Sequence, residues 1–237
     1  MFGKNPIEKQ EKEGDGQFLR VVKDSPFYTI QGEGPYAGHP AVFLRLHGCN
    51  LSCIFCDTNF SDPNDPVQPL IEIVSSICSL VQKTHAQVVV VTGGEPLRQN
   101  ILPLCRSLVS ALHVKVQIET AGTLWVNGIE DWAEIVCSPK TPSIHFQAHQ
   151  HAKAFKYVVS ADMEFDGFIP VTATQANARP ARLARPRYGA PVYLSPMDEY
   201  DATKNLLNKK KVAELALKYG CVAGIQMHKE LAIIEPT

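Results

Sequence analysis

Seven short apolar runs, each running into a polar or glycine-rich segment, limit what this chain can fold into more than any other feature. They are AVFLRLHG (41–48), QVVVVTGG (87–94), VKVQIETAG (114–122), AEIVCSPK (133–140), AFKYVVS (154–160), APVYLSPM (190–197) and CVAGIQMH (221–228). Most are rich in β-branched residues and too short for an ordinary helix, so they predict strands. A further short strand is expected around QFLRVVK (17–23). Helical spacing lies between them. Leu70, Ile73, Val74, Ile77, Leu80 and Val81 share one face of a helix over 67–82, and Leu97, Ile101, Leu104, Leu108 and Leu112 one face over 97–112. A third helix is expected over 201–219, with Asp201 as its N-cap and Gly220 as its stop.

Strands alternating with helices give a parallel sheet with right-handed crossovers. About six or seven such units are present, fewer than the eight of a closed barrel. The expected fold class is therefore α/β, a partial (β/α)6-type TIM barrel, with a doubly wound open sheet as the alternative. In both architectures the ligand site lies at the carboxyl ends of the strands. HGCNLSC, TGGEP, ETAG, CSPK, LSPMD and QMHK all fall there.

With 237 residues, 45% of them hydrophobic and 20% charged, the chain is long enough to bury one large core. A net charge of -1 gives no reason to expect nucleic acid or an anionic membrane as partner. The polar N-terminus lacks the apolar region of a secretory signal, and the longest apolar run, VVVV (88–91), is too short to span a bilayer. Seven cysteines make an odd, scattered set, which suits a reducing cytoplasm rather than a disulfide framework. Cys78, Cys105, Cys137 and Cys221 read as buried thiols. Arg179, Arg182, Arg185 and Arg187 lie between prolines in a 161–190 segment that matches no motif, and they read as a solvated surface loop. His145, His149 and His151 lack regular ligand spacing and also read as a loop.

Three cysteines crowd into HGCNLSCIFCDT (47–58): Cys49, Cys53 and Cys56. A structural zinc site takes four ligands, usually two C-x2-C pairs or a C2H2 set. Here there is no second pair, and His47 is a poor fourth candidate so close to Cys49. A disulfide would use two thiols and strand the third. A 4Fe–4S cluster held by the three thiolates would keep one iron free of protein, where electron-transfer clusters use four. An open iron is a coordination site, so that reading brings chemistry with it. TGGEP (92–96) follows the next apolar run. Gly93 and Gly94 allow close backbone approach to a ligand, and Glu95 can accept from a cationic amino group.

The cysteine spacing, with Phe55 before the last cysteine and TGGEP one βα unit later, resembles the radical S-adenosylmethionine superfamily. That resemblance implies a partial barrel of the radical SAM kind and a 4Fe–4S cluster on Cys49, Cys53 and Cys56. It also implies S-adenosyl-L-methionine chelated at the open iron and cleaved to a radical that takes a substrate hydrogen. The block FYTIQGEGPYAGHPAVFLRLHGCNLSCIFCDT (27–58), with CSPK, LSPMD and QMHK further on, resembles the 7-carboxy-7-deazaguanine synthase family from about Phe27 to Lys229. The implied activity is that of a carbon–nitrogen lyase in queuosine-type deazapurine biosynthesis. It contracts the ring of 6-carboxy-5,6,7,8-tetrahydropterin with loss of ammonia, with Mg²⁺ at the substrate.

Position by position, the resemblance puts Ile30, Gln31, Gly32, Glu33, Arg45 and Thr92 at the substrate and Thr58 on Mg²⁺. It puts Phe55, Asp57, Gly94, Glu95, Ser138, Pro139, Lys140, Ser195, Pro196, Met197 and Asp198 at the cofactor. Arg45 sits in an apolar strand, where a guanidinium needs an acid or a ligand, and its fork suits a carboxylate. The resemblance further implies a homodimer and an external one-electron reductant, flavodoxin-like or ferredoxin-like. Residues 1–20 read as a partly disordered extension ahead of a single domain over 21–237. Family chains can end in a proline that touches substrate, whereas here Pro236 precedes Thr237. The competing readings are a radical activase acting on a protein and a non-catalytic iron–sulfur or zinc module.

Overall fold

The computed structural model describes residues 5–11, 14–176 and 178–233. Its elements, in chain order, are β1 (Phe18–Arg20), β2 (Phe27–Ile30), β3 (Pro40–Leu46), β4 (Val67–Pro69), α1 (Leu70–Lys83), β5 (Val88–Gly93), α2 (Leu102–Ala111), β6 (Lys115–Thr120), β7 (Glu134–Cys137), α3 (Phe146–His151), β8 (Ala152–Val159), β9 (Glu164–Asp166), β10 (Ile169–Thr172), β11 (Ala181–Arg182), β12 (Val192–Pro196), α4 (Ala202–Tyr219), β13 (Val222–Ala223) and α5 (Met227–Glu230). The main sheet has the order β13-β12-β8-β7-β6-β5-β3-β2. Its strands pair in parallel except for β2, which adds to β3 antiparallel.

Side chains alternate across a strand, and the two faces of this sheet have different partners. Val42, Leu44 and Leu46 of β3 and Val89 and Val91 of β5 are buried in one core with Ile73 and Ile77 of α1 and Leu104 and Leu108 of α2. The intervening Phe43, Arg45 and Thr92 line a cavity on the opposite face. Helices cover one face and the cavity occupies the other. That segregation, and not the count of units, decides for a partial barrel over a doubly wound sheet. Beyond β7, Phe155, Tyr157 and Val159 of β8 continue the outer core with Leu194 of β12 and Val212 and Leu215 of α4.

Six of the expected strands appear close to their predicted spans, as does helix α4. Asp201 caps that helix by accepting from the backbone N–H groups of Thr203 and Lys204, and Gly220 closes it in the left-handed conformation. The 67–82 helix starts only at Leu70, because Val67–Pro69 pairs with β1 and Pro69 marks the junction. The 97–112 helix is broken. Pro96–Arg98 forms a 3-10 turn, and α2 begins at Leu102 with Pro103 in its first turn, where a missing N–H costs nothing. The 221–228 strand shrinks to two residues, and the chain then turns back as α5. Cys105 and Cys137 are buried, but Cys78 and Cys221 are partly exposed, contrary to expectation.

The 161–190 segment, expected as a loop, forms the three-stranded antiparallel sheet β9-β10-β11. Arg182 and Arg185 both pair with Asp166 on its surface, at 2.8 and 2.7 Å. The histidines also leave the expected loop. His149 and His151 lie in the short α3, His145 caps it, and His145 and His151 stack on Trp125. Of the N-terminal extension, residues 1–4, 12 and 13 lie outside the described residues, as do Pro236 and Thr237. Among the described residues no helix is long and apolar enough to cross a membrane.

Candidate active site

The cavity, about 280 Å³, opens at the carboxyl ends of the parallel strands. Cys49, Cys53 and Cys56 form one wall of it, between β3 and β4. Two distant segments brace the cysteines, residues 5–8 at Cys49 and Cys56 and residues 174–175 at Cys53. Cys49 forms an isolated parallel bridge with Ile7, and its carbonyl accepts from the Glu8 N–H at 2.7 Å. Cys53 bridges Gln175, while the neighbouring Ile54 N–H donates to the Thr174 carbonyl at 2.9 Å. Cys56 Sγ accepts from the Asn5 side-chain amide at 3.7 Å. The motif-free 161–190 segment thus supports the cysteine loop through Thr174 and Gln175. Burial pushes the Cys49 thiol up to about 12 and that of Cys56 to about 11. Burial also raises Cys53, against the opposing pull of the Lys140 ammonium. Ligation by a metal has to displace these protons.

A polar network lies across the cavity. Lys156 of β8 donates to Glu33 Oε2 at 2.7 Å and to Glu119 Oε2 of β6 at 3.3 Å. Glu119 Oε1 also accepts from the Gln31 side-chain amide at 2.9 Å, and Gln31 Oε1 accepts from the Glu33 N–H at 3.2 Å. Burial works against the charge on Lys156, but the two carboxylates outweigh it and hold the ammonium charged well above the ordinary lysine range. Burial pushes the Glu33 carboxyl up, and Lys156 overcomes it, so the net shift is downward. Arg45 stands beside this network, its guanidinium 4.7 Å from the Phe27 ring centroid.

The remaining rim comes from the loops after β5, β7 and β12. Gly94 passes so close to Gly48 that a Cβ would lie 2.0 Å from the Gly48 carbonyl oxygen. Gly93 has φ +123, and a Cβ there would meet the Leu46 backbone at 2.2 Å. Lys140 Nζ donates to the Ser138 carbonyl and hydroxyl, and burial lowers its pKa. Burial raises the Asp198 carboxyl, but the Lys229 ammonium, the Tyr200 N–H and the Asn205 amide bring it down to about 2. From the far side, Gln226 and His228 reach over the cavity. The Met227 N–H donates to the Gly32 carbonyl at 3.1 Å.

Most residues singled out in the sequence line this one cavity: Gln31, Glu33, Arg45, Phe55, Asp57, Thr58, Thr92, Gly94, Ser138, Lys140, Pro196, Met197, Asp198 and the three cysteines. Ile30, Gly32, Pro139 and Ser195 stand next to it without lining it. Glu95 does not line it either. Its carboxylate is 1% exposed and faces away, accepting from Thr120 Oγ1 at 2.7 Å, the Ala121 N–H at 2.8 Å and the Leu97 N–H at 3.1 Å. Burial raises its pKa despite these bonds. Glu95 therefore ties the loop after β5 to the loop after β6. Lys156 was missed, although a lysine in the middle of AFKYVVS was the signal: a charge inside an apolar strand needs partners.

Residues 44–155 match the Radical SAM superfamily. The 7-carboxy-7-deazaguanine synthase of Rhodospirillum rubrum is 39% identical over 246 residues, covering 98% of this chain and 100% of that protein. That of Rickettsia prowazekii is 37% identical, with 98% and 96% covered. The chain belongs to the 7-carboxy-7-deazaguanine synthase family. The solved structure of QueE from Escherichia coli has the same fold, with a TM-score of 0.62 at 23% identity, covering 89% of this chain and 95% of that one.

A 4Fe–4S cluster and S-adenosylmethionine are the cofactors of the radical SAM class to which the 7-carboxy-7-deazaguanine synthase family belongs. The donor set of this chain fits them. All the cysteines are free thiols. A cube meets each of the three thiolates at a separate iron. Gly93 and Gly94 line the same cavity as the three cysteines.

Proposed function

We propose that this member of the 7-carboxy-7-deazaguanine synthase family converts 6-carboxy-5,6,7,8-tetrahydropterin to 7-carboxy-7-deazaguanine with loss of ammonia. The cluster and its sulfonium cofactor supply a 5′-deoxyadenosyl radical when bound. The observation that carries the proposal is that the three-cysteine wall and a charged network of Arg45, Glu33, Glu119 and Lys156 share one cavity. A cluster enzyme acting on an apolar or polymeric substrate has no use for that network. A planar, carboxylated heterocycle does.

In this reading Arg45 takes the substrate carboxylate through its fork. Gln31, Glu33 and Thr92 supply hydrogen bonds to the ring, and Lys156 keeps Glu33 ionised as an acceptor. Thr58 offers a hydroxyl to Mg²⁺, which takes its remaining oxygens from substrate and water. Ser138, Lys140, Phe55, Asp57, Gly94 and the Pro196–Asp198 stretch hold the cofactor. Ile54, 44% exposed in the cysteine loop, leaves that loop accessible to an external one-electron reductant. Exposed Leu206, Leu207 and Leu217 on α4 support a homodimer.

Anaerobic reconstitution tests the proposal. The expected result is about four irons and four sulfides per chain, with conversion of the carboxytetrahydropterin and no stoichiometric loss of S-adenosylmethionine. Zinc in place of iron would overturn it, as would 5′-deoxyadenosine formed stoichiometrically with no pterin turnover.

A further inference from the structure

The N-terminal segment ahead of β1 lies against the cysteine loop. Its Glu8 carboxylate meets His47 Nε2 at 3.2 Å and Arg98 at 3.2 Å, and Arg98, 4% exposed, also binds Glu11 at 3.0 Å. Gln10 donates to the carbonyls of Leu97 and Trp125, both at 3.0 Å. These contacts fix the register of the segment and set the position of Asn5.

Asn5 is 5% exposed, and its amide is spent on the stretch that carries the last cysteine. Nδ2 donates to Cys56 Sγ at 3.7 Å and to the Thr58 carbonyl at 3.0 Å. Oδ1 accepts from Ser61 Oγ at 2.9 Å and from the Phe60 N–H at 3.4 Å. One buried side chain therefore grips four successive points of the 56–61 loop.

We propose that Asn5 is a positioning residue for the cluster: it holds the Cys56 thiolate in place and, by donating an N–H to its sulfur, raises the cluster's reduction potential. The inference rests on the cluster reading of the three-cysteine wall. The physical reason is charge. Reduction adds an electron to the cluster and its thiolates, and a donor aimed at sulfur stabilises the more negative state more than the oxidised one. A residue outside the cysteine motif thus sets how readily the enzyme accepts the electron that starts its chemistry.

The test is an EPR-monitored redox titration of the reconstituted full chain. Asn5→Asp keeps the acceptor for Ser61 and Phe60 but replaces the donor at Cys56 with a negative oxygen. Its midpoint is expected at lower potential than that of the unaltered chain. Asn5→Ser, too short to reach the sulfur, is expected to shift in the same direction but less. Ser61→Ala loosens the same loop without touching the N–H···S bond and is expected to titrate like the unaltered chain.

An unchanged midpoint in whichever Asn5 variant loads a full complement of iron overturns the proposal. If neither loads while the metal-free variants melt like the unaltered protein, the holding role stands. If neither loads and both melt earlier, Asn5 serves folding and the proposal fails. An unaltered chain that binds no iron would instead refute the cluster reading itself.

Discussion

At the scale of single residues, the cavity depends on a lysine placed between two carboxylates. Lys156 has only 9% of its side chain exposed, and Glu33 and Glu119 have 17% and 18%. Removing the cation strands two acids beside each other out of bulk water. Lys156→Met is expected to lower stability by about 3–5 kcal/mol at neutral pH, as measured by urea unfolding. The sign with pH follows from the shifts. Glu33 is held below its ordinary value by Lys156, so the pair stabilises the fold above the ordinary glutamate range and loses that contribution as pH falls. The deficit of the variant is therefore expected to shrink toward pH 4. A deficit that stays constant with pH would mean that Lys156 matters for its packing and not for its charge.

At the scale of elements, the loops after β3 and β5 fit together without space for a single methyl group. Gly94→Ala would place its Cβ 2.0 Å from the Gly48 carbonyl oxygen and 2.9 Å from Phe60. A loss of about 1–3 kcal/mol is expected, read as a lowered melting temperature, together with poorer iron retention because the strained loop leads directly into Cys49. A variant that melts and loads like the unaltered chain would refute this. TGGEP was legible as a place of close backbone approach, though the approach shown is to the backbone of Leu46 and Gly48 and not to a ligand. The parallel strands were legible because their apolar runs are rich in β-branched residues and too short for an ordinary helix. What sequence did not disclose lies where distant segments meet. TGGEP alone does not disclose that Glu95 will bond to Thr120 at the end of β6 and to Ala121 just beyond it. Nothing in TATQA (172–176) indicates that Gln175 will bridge Cys53. CVAGIQMH reads as a strand through Val222 and Ile225. Yet at Gly224 the chain bonds back to Leu194, and beyond it α5 folds over the cavity, which no local propensity encodes.

At the scale of the whole molecule, the sheet runs from β13 to β2 without those two edges pairing. The space between them is spanned by α5, whose Met227 N–H donates to the Gly32 carbonyl and whose His228 ring fills the position where a Gly32 Cβ would be. Elsewhere the wall is woven from strand ladders; along this line it is fastened by a short helix. Parting it breaks few bonds, whereas parting any other pair of strands dismantles a ladder. Amide hydrogen exchange at Met227 is therefore expected to be faster than at Val42 and Val89, and to slow when a pterin occupies the cavity. Equal protection at all three would refute the idea. A cylinder with one laced side can admit a flat guest edge-on and tighten behind it, leaving the rigid staves that aim the radical undisturbed.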